Sequence, residues 1–146
     1  MMPVQHSVDL RYNLTMKKVL GFVYLGLTAV TILFQIAVIF GAPLGEFTQG
    51  GAVAGSLGSS GRATAAVSAA ILAILAIILA LKSEIIRTKT LSKVVAIGFR
   101  FALVFNFLEF VLNWITPSQS ERFLWGPVNT VLFACAVGIA ILSRRR

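Results

Sequence analysis

Four long apolar segments dominate the chain, and shorter polar segments separate them. Each apolar segment has about 20 residues, which is the length that an α-helix needs to cross a hydrocarbon core of about 30 Å. Segments that alternate apolar and polar residues, as in the strands of a membrane β-barrel, are absent from the sequence. The pattern predicts an all-α membrane protein with transmembrane helices at about residues 17–41, 63–82, 94–116 and 124–143.

The connections between the predicted spans favour a four-helix up-down bundle in which successive helices pack side by side. They comprise a loop at 41–62 on one side of the membrane and a loop at 82–93 on the other. Ser118 and Glu121 have the spacing of a capping box, so a short interfacial helix is expected at about 118–125, before the fourth span. The whole chain is predicted to form a single membrane domain.

The composition agrees with this class of protein and argues against others. Hydrophobic residues make up 58% of the chain and charged residues 12%, whereas soluble domains have about 45–50% and about 25%. The single cysteine, Cys135, cannot form an internal disulfide, and the single histidine, His6, cannot form a multi-histidine metal or haem site. No nucleophile–base set or phosphate-binding motif is present in the sequence. We therefore expect a non-enzymatic protein without a metal or a cofactor.

The net charge of +8 predicts the orientation of the bundle. Ten of the 13 basic residues lie before the first span, between the second and third spans, or after the fourth span. By the positive-inside rule, both termini and the loop 82–93 are predicted to be cytoplasmic, and Arg62 and Arg122 to be external. Because the basic residues are divided among three membrane-flanking segments, no nucleic-acid interface is expected, and the expected partner is the lipid bilayer. The ten residues are Arg11, Lys17, Lys18, Lys82, Arg87, Lys89, Lys93, Arg144, Arg145 and Arg146.

Polar residues inside the predicted spans are the candidates for a functional site, because an ionisable group at that depth is costly and usually has a role or a partner. Counted along the helices, each span places a polar group about 7–10 Å below the external surface. Glu109 is the ionisable member of this layer. The candidate site residues are Gln35, Ser68, Asn106, Glu109, Asn113, Asn129 and Thr130.

Two interpretations of this polar layer are open. In the first, hydrogen bonds between Glu109 and the amides only hold the outer halves of the helices together. In the second, the layer lines an outward-facing pocket for a cation, a proton or a small polar ligand, with Glu109 as its charged group. Replacement of Glu109 by glutamine distinguishes the two, since only the second predicts a loss of binding or transport.

The loop 41–62 is rich in glycine and serine but also contains large apolar side chains. It is longer than a simple turn and more apolar than a solvated linker. Two conformations are therefore open: a flexible glycine-rich loop, or a re-entrant lid over the bundle mouth, which is allowed where irregular backbone is buried in protein. In the second case Pro43, Gly45 and Glu46 are the predicted lid residues.

Two motifs carry a resemblance to known proteins. The sequence GAPLGE at 41–46, followed by Gly50 and Gly51, and the sequence SERFLWGP at 120–127 resemble those of a family of small bacterial four-helix integral membrane proteins. The resemblance implies the four-helix topology and a multi-pass location in the bacterial cytoplasmic membrane. It implies no particular activity.

The expected function is that of a non-enzymatic binding or accessory component, with an outward-facing polar pocket around Glu109 under a glycine-rich lid. The alternative is a small oligomeric transporter or channel-like protein that couples a proton or a cation through Glu109. One four-helix chain is small for an alternating-access path, so transport implies a homo-oligomer. An accessory role implies a partner membrane subunit.

Overall fold

A computed structural model describes residues 4–87 and 92–144, and the side chains of residues 9–87 and 93–144. Every regular element in the described part of the chain is helical, and four helices are long and apolar enough to cross a membrane, so the predicted all-α class is confirmed. The basic residues Lys89, Arg145 and Arg146 and the side chain of His6 lie outside the described residues. The helices are α1 (Val4–Ile39), α2 (Ser59–Lys82), α3 (Ser92–Ile115) and α4 (Gln119–Arg144), with two single-turn 3₁₀ helices at Gly45–Phe47 and Gln49–Gly51.

The four helices form an antiparallel bundle in which each helix packs against the next and α4 returns to α1. The pairing is antiparallel because the first half of α1 meets the end of α2 at Gly21 and Ser83, whereas α4 begins beside the end of α3, where Gly126 faces the Trp114 ring. We call the end that carries the α1–α2 loop the glycine-rich end. The opposite end, where α2 stops and α3 starts, is called the basic end.

The helix bounds differ from the predicted spans at two places. The first span was predicted to begin at about residue 17, but α1 begins at Val4. Residues 4–16 contain no glycine or proline, so backbone hydrogen bonding continues past the apolar segment, and hydropathy marks only where the apolar segment begins. The predicted interfacial helix and the fourth span are one continuous helix, α4. Pro127 lies inside it and removes one backbone hydrogen bond without ending the helix.

The main core lies in the half of the bundle nearer the basic end and receives side chains from all four helices. A second, smaller cluster of Val38, Leu57 and Ala65 joins the loop to α1 and α2 at the glycine-rich end. Large apolar side chains also cover the outside of the bundle, for example Phe22, Phe101 and Ile74. An apolar outer surface of this kind is unfavourable in water and suits contact with lipid. The main core consists of Tyr24, Leu75, Leu79, Phe99, Ala102, Leu132, Cys135, Ala136 and Ile139.

An ion pair closes the basic end. The Lys17 ammonium on α1 contacts the Glu84 carboxylate just after α2, and the Lys17 side chain is buried there. The Lys82 ammonium lies 5.4 Å from the centroid of the Phe99 ring. Together with Gly21, which is buried against Ser83, these contacts join α1, α2 and α3 at this end of the bundle.

Candidate ligand cavity

A cavity of about 330 Å³ lies between the four helices at the glycine-rich end. All four helices and the α1–α2 loop contribute to its wall. Its apolar lining consists of Ile71, Leu72, Phe105, Trp125 and Leu132. Its polar lining consists of Thr31, Gln35, Thr48, Gln49, Ser68, Glu109, Asn113, Glu121 and Asn129.

Five of the seven predicted site residues meet at this cavity, namely Gln35, Ser68, Glu109, Asn113 and Asn129. They come from four different helices. Four of them share their distance from the same end of a span, and Asn113 lies one turn from Glu109 on the same face of α3. Because an α-helix rises by a constant amount per residue, side chains at equal depth in packed antiparallel helices come to one level. The structure therefore brings most of the predicted layer together around one space.

The other two predicted residues do not line the cavity. Asn106 lies one turn below Glu109 and is buried in the core, where its Nδ2 donates to the backbone oxygen of Ala102 at 2.7 Å. Its amide is also 3.2 Å from the Tyr24 hydroxyl. Thr130 is exposed; its hydroxyl donates to the Gly126 oxygen at 2.8 Å and accepts from Trp114 Nε1 at 3.0 Å. Thr130 follows Asn129 directly in α4, so its side chain is rotated by about 100° around the helix axis, away from the cavity.

Glu109 is half-buried, and its carboxylate has one hydrogen-bond donor within the described residues: Asn113 Nδ2 lies 3.2 Å from Oε2. The same amide donates to the Glu109 backbone oxygen at 2.9 Å, so it is held in place. None of the described side chains that line the cavity is basic. The charge of Glu109 is therefore not compensated by a cation of this chain at the cavity wall.

Glu121 is a second carboxylate in the cavity wall, although its spacing from Ser118 predicts only a capping box. Half of that box is present, since the Glu121 N–H donates to the Ser118 hydroxyl at 3.1 Å. The Glu121 carboxylate, however, accepts from the Gly50 N–H and from the Thr116 hydroxyl, each at 2.9 Å. The sequence contained a signal for this role, because Glu121, Trp125 and Asn129 recur every four residues on one face of α4.

Oxygen Oε1 of Gln35 is a further notable group in the wall. It is enclosed by protein and has no hydrogen-bond partner among the described residues. A buried amide oxygen without a donor is costly, and a bound donor would satisfy it. Gln35 thus lines the cavity with a side chain whose amide oxygen has no donor among the described residues.

The α1–α2 loop covers the glycine-rich end and is folded rather than extended. Trp125 Nε1 donates to the Phe47 oxygen at 2.7 Å, and the Ser118 hydroxyl donates to the Glu46 oxygen at 2.7 Å. Thr48 and Gln49, which follow directly, reach the cavity. The loop is therefore tied to the first turns of α4, and its middle forms part of the cavity wall.

None of the three predicted lid residues lines the cavity. Pro43 and the side chain of Glu46 are exposed, and neither lines the cavity. Gly45 is buried, its N–H donates to the Gly55 oxygen at 2.9 Å, and a Cβ on it would come within 2.3 Å of the Val53 oxygen. Two segments of the loop, one around Gly45 and one around Gly55, are therefore in close contact at this glycine.

The fold and the cavity together define a class of protein: an all-helical bundle of four helices able to span a membrane, with an acidic polar cavity near one end. Among the described residues, no three His, Cys, Asp or Glu side chains lie together as a metal site would require. Comparison of the chain with protein-family models, curated proteins and solved structures found no match. The resemblance to a bacterial four-helix family remains a prediction.

Proposed function

We propose that this protein is a non-enzymatic, multi-pass protein of the bacterial cytoplasmic membrane whose cavity binds a small cation or polar ligand from the external side. The observation that carries the proposal is the lining of the cavity. It combines the carboxylates of Glu109 and Glu121 with amide and hydroxyl groups, and no described lining residue is basic. A recess whose ionisable groups are all acidic attracts cations.

The orientation in this proposal comes from the basic residues. The positive-inside rule assigns the basic end to the cytoplasm and therefore the glycine-rich end, with its cavity, to the outside. The α1–α2 loop then covers an external binding site, and its Thr48 and Gln49 side chains contact the ligand. A lid of this kind excludes water and lengthens the residence of the ligand.

The size and the aromatic wall of the cavity favour an organic cation over a bare ion. A volume of about 330 Å³ is at the lower end for small-molecule sites, and it is about ten times the share of one water molecule in the liquid. A single metal ion would leave most of it to water. The Trp125 and Phe105 side chains also line the cavity, and aromatic faces attract ammonium groups. We therefore propose a small organic ammonium compound as the ligand class.

The experiment is binding of tetramethylammonium chloride to the purified protein by isothermal titration calorimetry, at constant ionic strength. We expect Glu109→Gln to weaken binding about tenfold or more, because it removes a charged partner. The variant keeps the volume of the side chain and its bond to Asn113, so folding should be retained. Glu46→Gln is the matched control, since Glu46 is at the same end but outside the cavity. Equal affinities in all three proteins contradict the proposal.

A small oligomeric transporter that couples a proton or a cation through Glu109 is the second candidate. It is favoured by the hydrogen-bonded pair of Tyr24 and Asn106, which continues the polar groups one turn deeper into the bundle. Below this pair the apolar core fills the bundle, so transport would require a second conformation. Cation-driven pH change inside proteoliposomes, abolished by Glu109→Gln, would support this function; binding without such flux would support the first.

A further inference from the structure

A second recess lies on the outer surface of the bundle at the glycine-rich end, where α3 turns into α4. Its volume is about 570 Å³, and its wall consists of Trp114, Pro117, Gln119, Arg122, Phe123 and Pro127. None of these residues lines the polar cavity. Phe123 and Trp114 are 74% and 45% exposed, so the recess, which we call the Trp114–Phe123 groove, is an open apolar surface with one cationic side chain.

Arg122 is held in position at the edge of this groove. Its Nη2 donates to the Thr116 backbone oxygen at 2.5 Å, and its Nε is enclosed by protein without an acceptor. The neighbouring residue Glu121 lines the polar cavity and not the groove, and its carboxylate accepts hydrogen bonds from Gly50 and Thr116. No described acidic residue forms an ion pair with Arg122. A positive charge without an acidic partner therefore borders an apolar recess.

The groove is preformed, because its largest side chain is fixed from behind. Trp114 Nε1 donates to the Thr130 hydroxyl at 3.0 Å. The Trp114 ring also lies against Gly126, where an added Cβ would be 3.2 Å from the ring atom Cε2. Trp114 is held by these contacts and is still partly exposed, as a residue of the groove wall.

We infer that the Trp114–Phe123 groove binds one anionic phospholipid, with the phosphate at Arg122 and an acyl chain along Phe123, Pro127 and Trp114. The occupant follows from charge complementarity and from position. The positive charge of the Arg122 guanidinium attracts phosphate, and apolar residues line the same recess. The groove is at the ends of helices that are able to span a membrane, where tryptophan is enriched and head groups lie. An amphiphile with a charged head and an apolar tail matches both parts.

The experiment uses Trp114 as a reporter in the full-length Trp125→Phe protein, in which it is the one remaining tryptophan. The protein is reconstituted into phosphatidylcholine vesicles that contain increasing fractions of phosphatidylglycerol brominated on its acyl chains, and quenching of the fluorescence is measured. A parallel series uses brominated phosphatidylcholine. We expect the groove to prefer phosphatidylglycerol about fivefold, the effect of one arginine at an anionic lipid surface.

Arg122→Gln should reduce this preference to equal quenching by the two lipids. Arg62→Gln is the matched control, because it removes the same charge at the same end from a residue that does not line the groove. An unchanged preference in Arg122→Gln overturns the inference. Equal quenching by both lipids in the Trp125→Phe protein that retains Arg122 also overturns it, and this measurement does not depend on the folding of the Arg122→Gln variant.

Discussion

Trp125 connects three parts of the molecule through one side chain. Its Nε1 donates to the Phe47 oxygen at 2.7 Å, its ring packs edge-on against Phe34 with centroids 4.8 Å apart, and it lines the cavity. Such contacts hold the loop in place over the bundle. Gly45 acts in the same way from within the loop, since only a residue without a side chain fits between Val53 and Gly55.

Gly45→Ala tests whether the loop is built around this close approach. The new Cβ would come within 2.3 Å of the Val53 oxygen and 2.6 Å of the Gly55 oxygen, and both are backbone atoms that can move only with the loop. We expect the free energy of unfolding, measured by denaturation of the purified protein, to fall by about 1–3 kcal/mol. Gly55→Ala is the control, because an added Cβ there meets no atom within 4 Å. Similar losses in the two variants would contradict the role assigned to Gly45.

The helices differ in what sets their contacts. Helix α1 approaches the end of α2 closely at Gly21, where Ser83 is fully buried, and helix α4 approaches α1 at Gly138, opposite Leu20. Small residues allow close approach where lipid gives no hydrophobic driving force between helices. Helices α3 and α4 instead pack through aromatic rings. The ring centroid of Phe133 lies 5.6 Å from those of both Phe107 and Phe110.

Gly21→Ala should weaken the α1–α2 contact. A Cβ at this position would lie 2.4 Å from the Ser83 hydroxyl and 2.8 Å from a methyl group of Ile85, so the two segments must separate. We expect a loss of about 1–3 kcal/mol in stability, measured as a lower Tm in detergent. Gly26→Ala lies on the same helix with nothing within 4 Å of the new Cβ, and the better helix propensity of alanine should leave Tm unchanged or raise it. A Tm that falls equally in both variants would disprove a specific contact at Gly21.

At the scale of the whole molecule, the two ends of the bundle have different characters. The basic end has a buried ion pair and an apolar core beneath it, whereas the glycine-rich end holds a polar cavity under a folded loop. By the positive-inside rule, we expect the basic end of the bundle to lie in the cytoplasm, because basic flanking residues tend to stay there. The proposed ligand and the proposed lipid then both bind at the external end.

Cysteine labelling tests this orientation. In a Cys135→Ala background, which removes the buried native thiol, a cysteine is introduced by Val53→Cys in the α1–α2 loop or by Ile86→Cys after α2; both positions are exposed. A membrane-impermeant maleimide added to intact cells should label the first variant and spare the second, whereas permeabilised cells should label both. The reverse pattern would place the cavity in the cytoplasm.

Much of the candidate site could be predicted because depth in a helix is a local property. Gln35, Ser68, Glu109 and Asn129 were chosen by counting residues from the span ends, and all four line the cavity. Counting residues from the end of a span gives the depth of a side chain. It does not give the direction in which the side chain faces, because these helices are apolar on all sides. For that reason the sequence selected Thr130 together with Asn129, whereas the structure exposes Thr130 outside the cavity.

Glu121 was missed for a different reason. Its spacing from Ser118 explained it fully as a helix cap, and half of that cap exists. Its carboxylate is instead bound by Gly50, 71 residues away in the chain, through a loop whose path has no periodic pattern. Asn106 was a candidate because it lies on the same stripe of α3 as Glu109, but the structure buries it one turn deeper, beside Tyr24, which is 82 residues away in the chain.

The local sequence determines that there are four spanning helices and how deep their polar groups lie below the span ends. Both depend only on the length of a span and on the rise of a helix, which the backbone and its solvent set. Tertiary structure alone decides the rotation of each helix, the fold of the glycine-rich loop and the second carboxylate of the cavity. These depend on contacts between segments far apart in the chain, such as Trp125 with Phe47 and Glu121 with Gly50. The order of apolar and polar residues along the chain does not show which distant residues will come into contact when the helices pack.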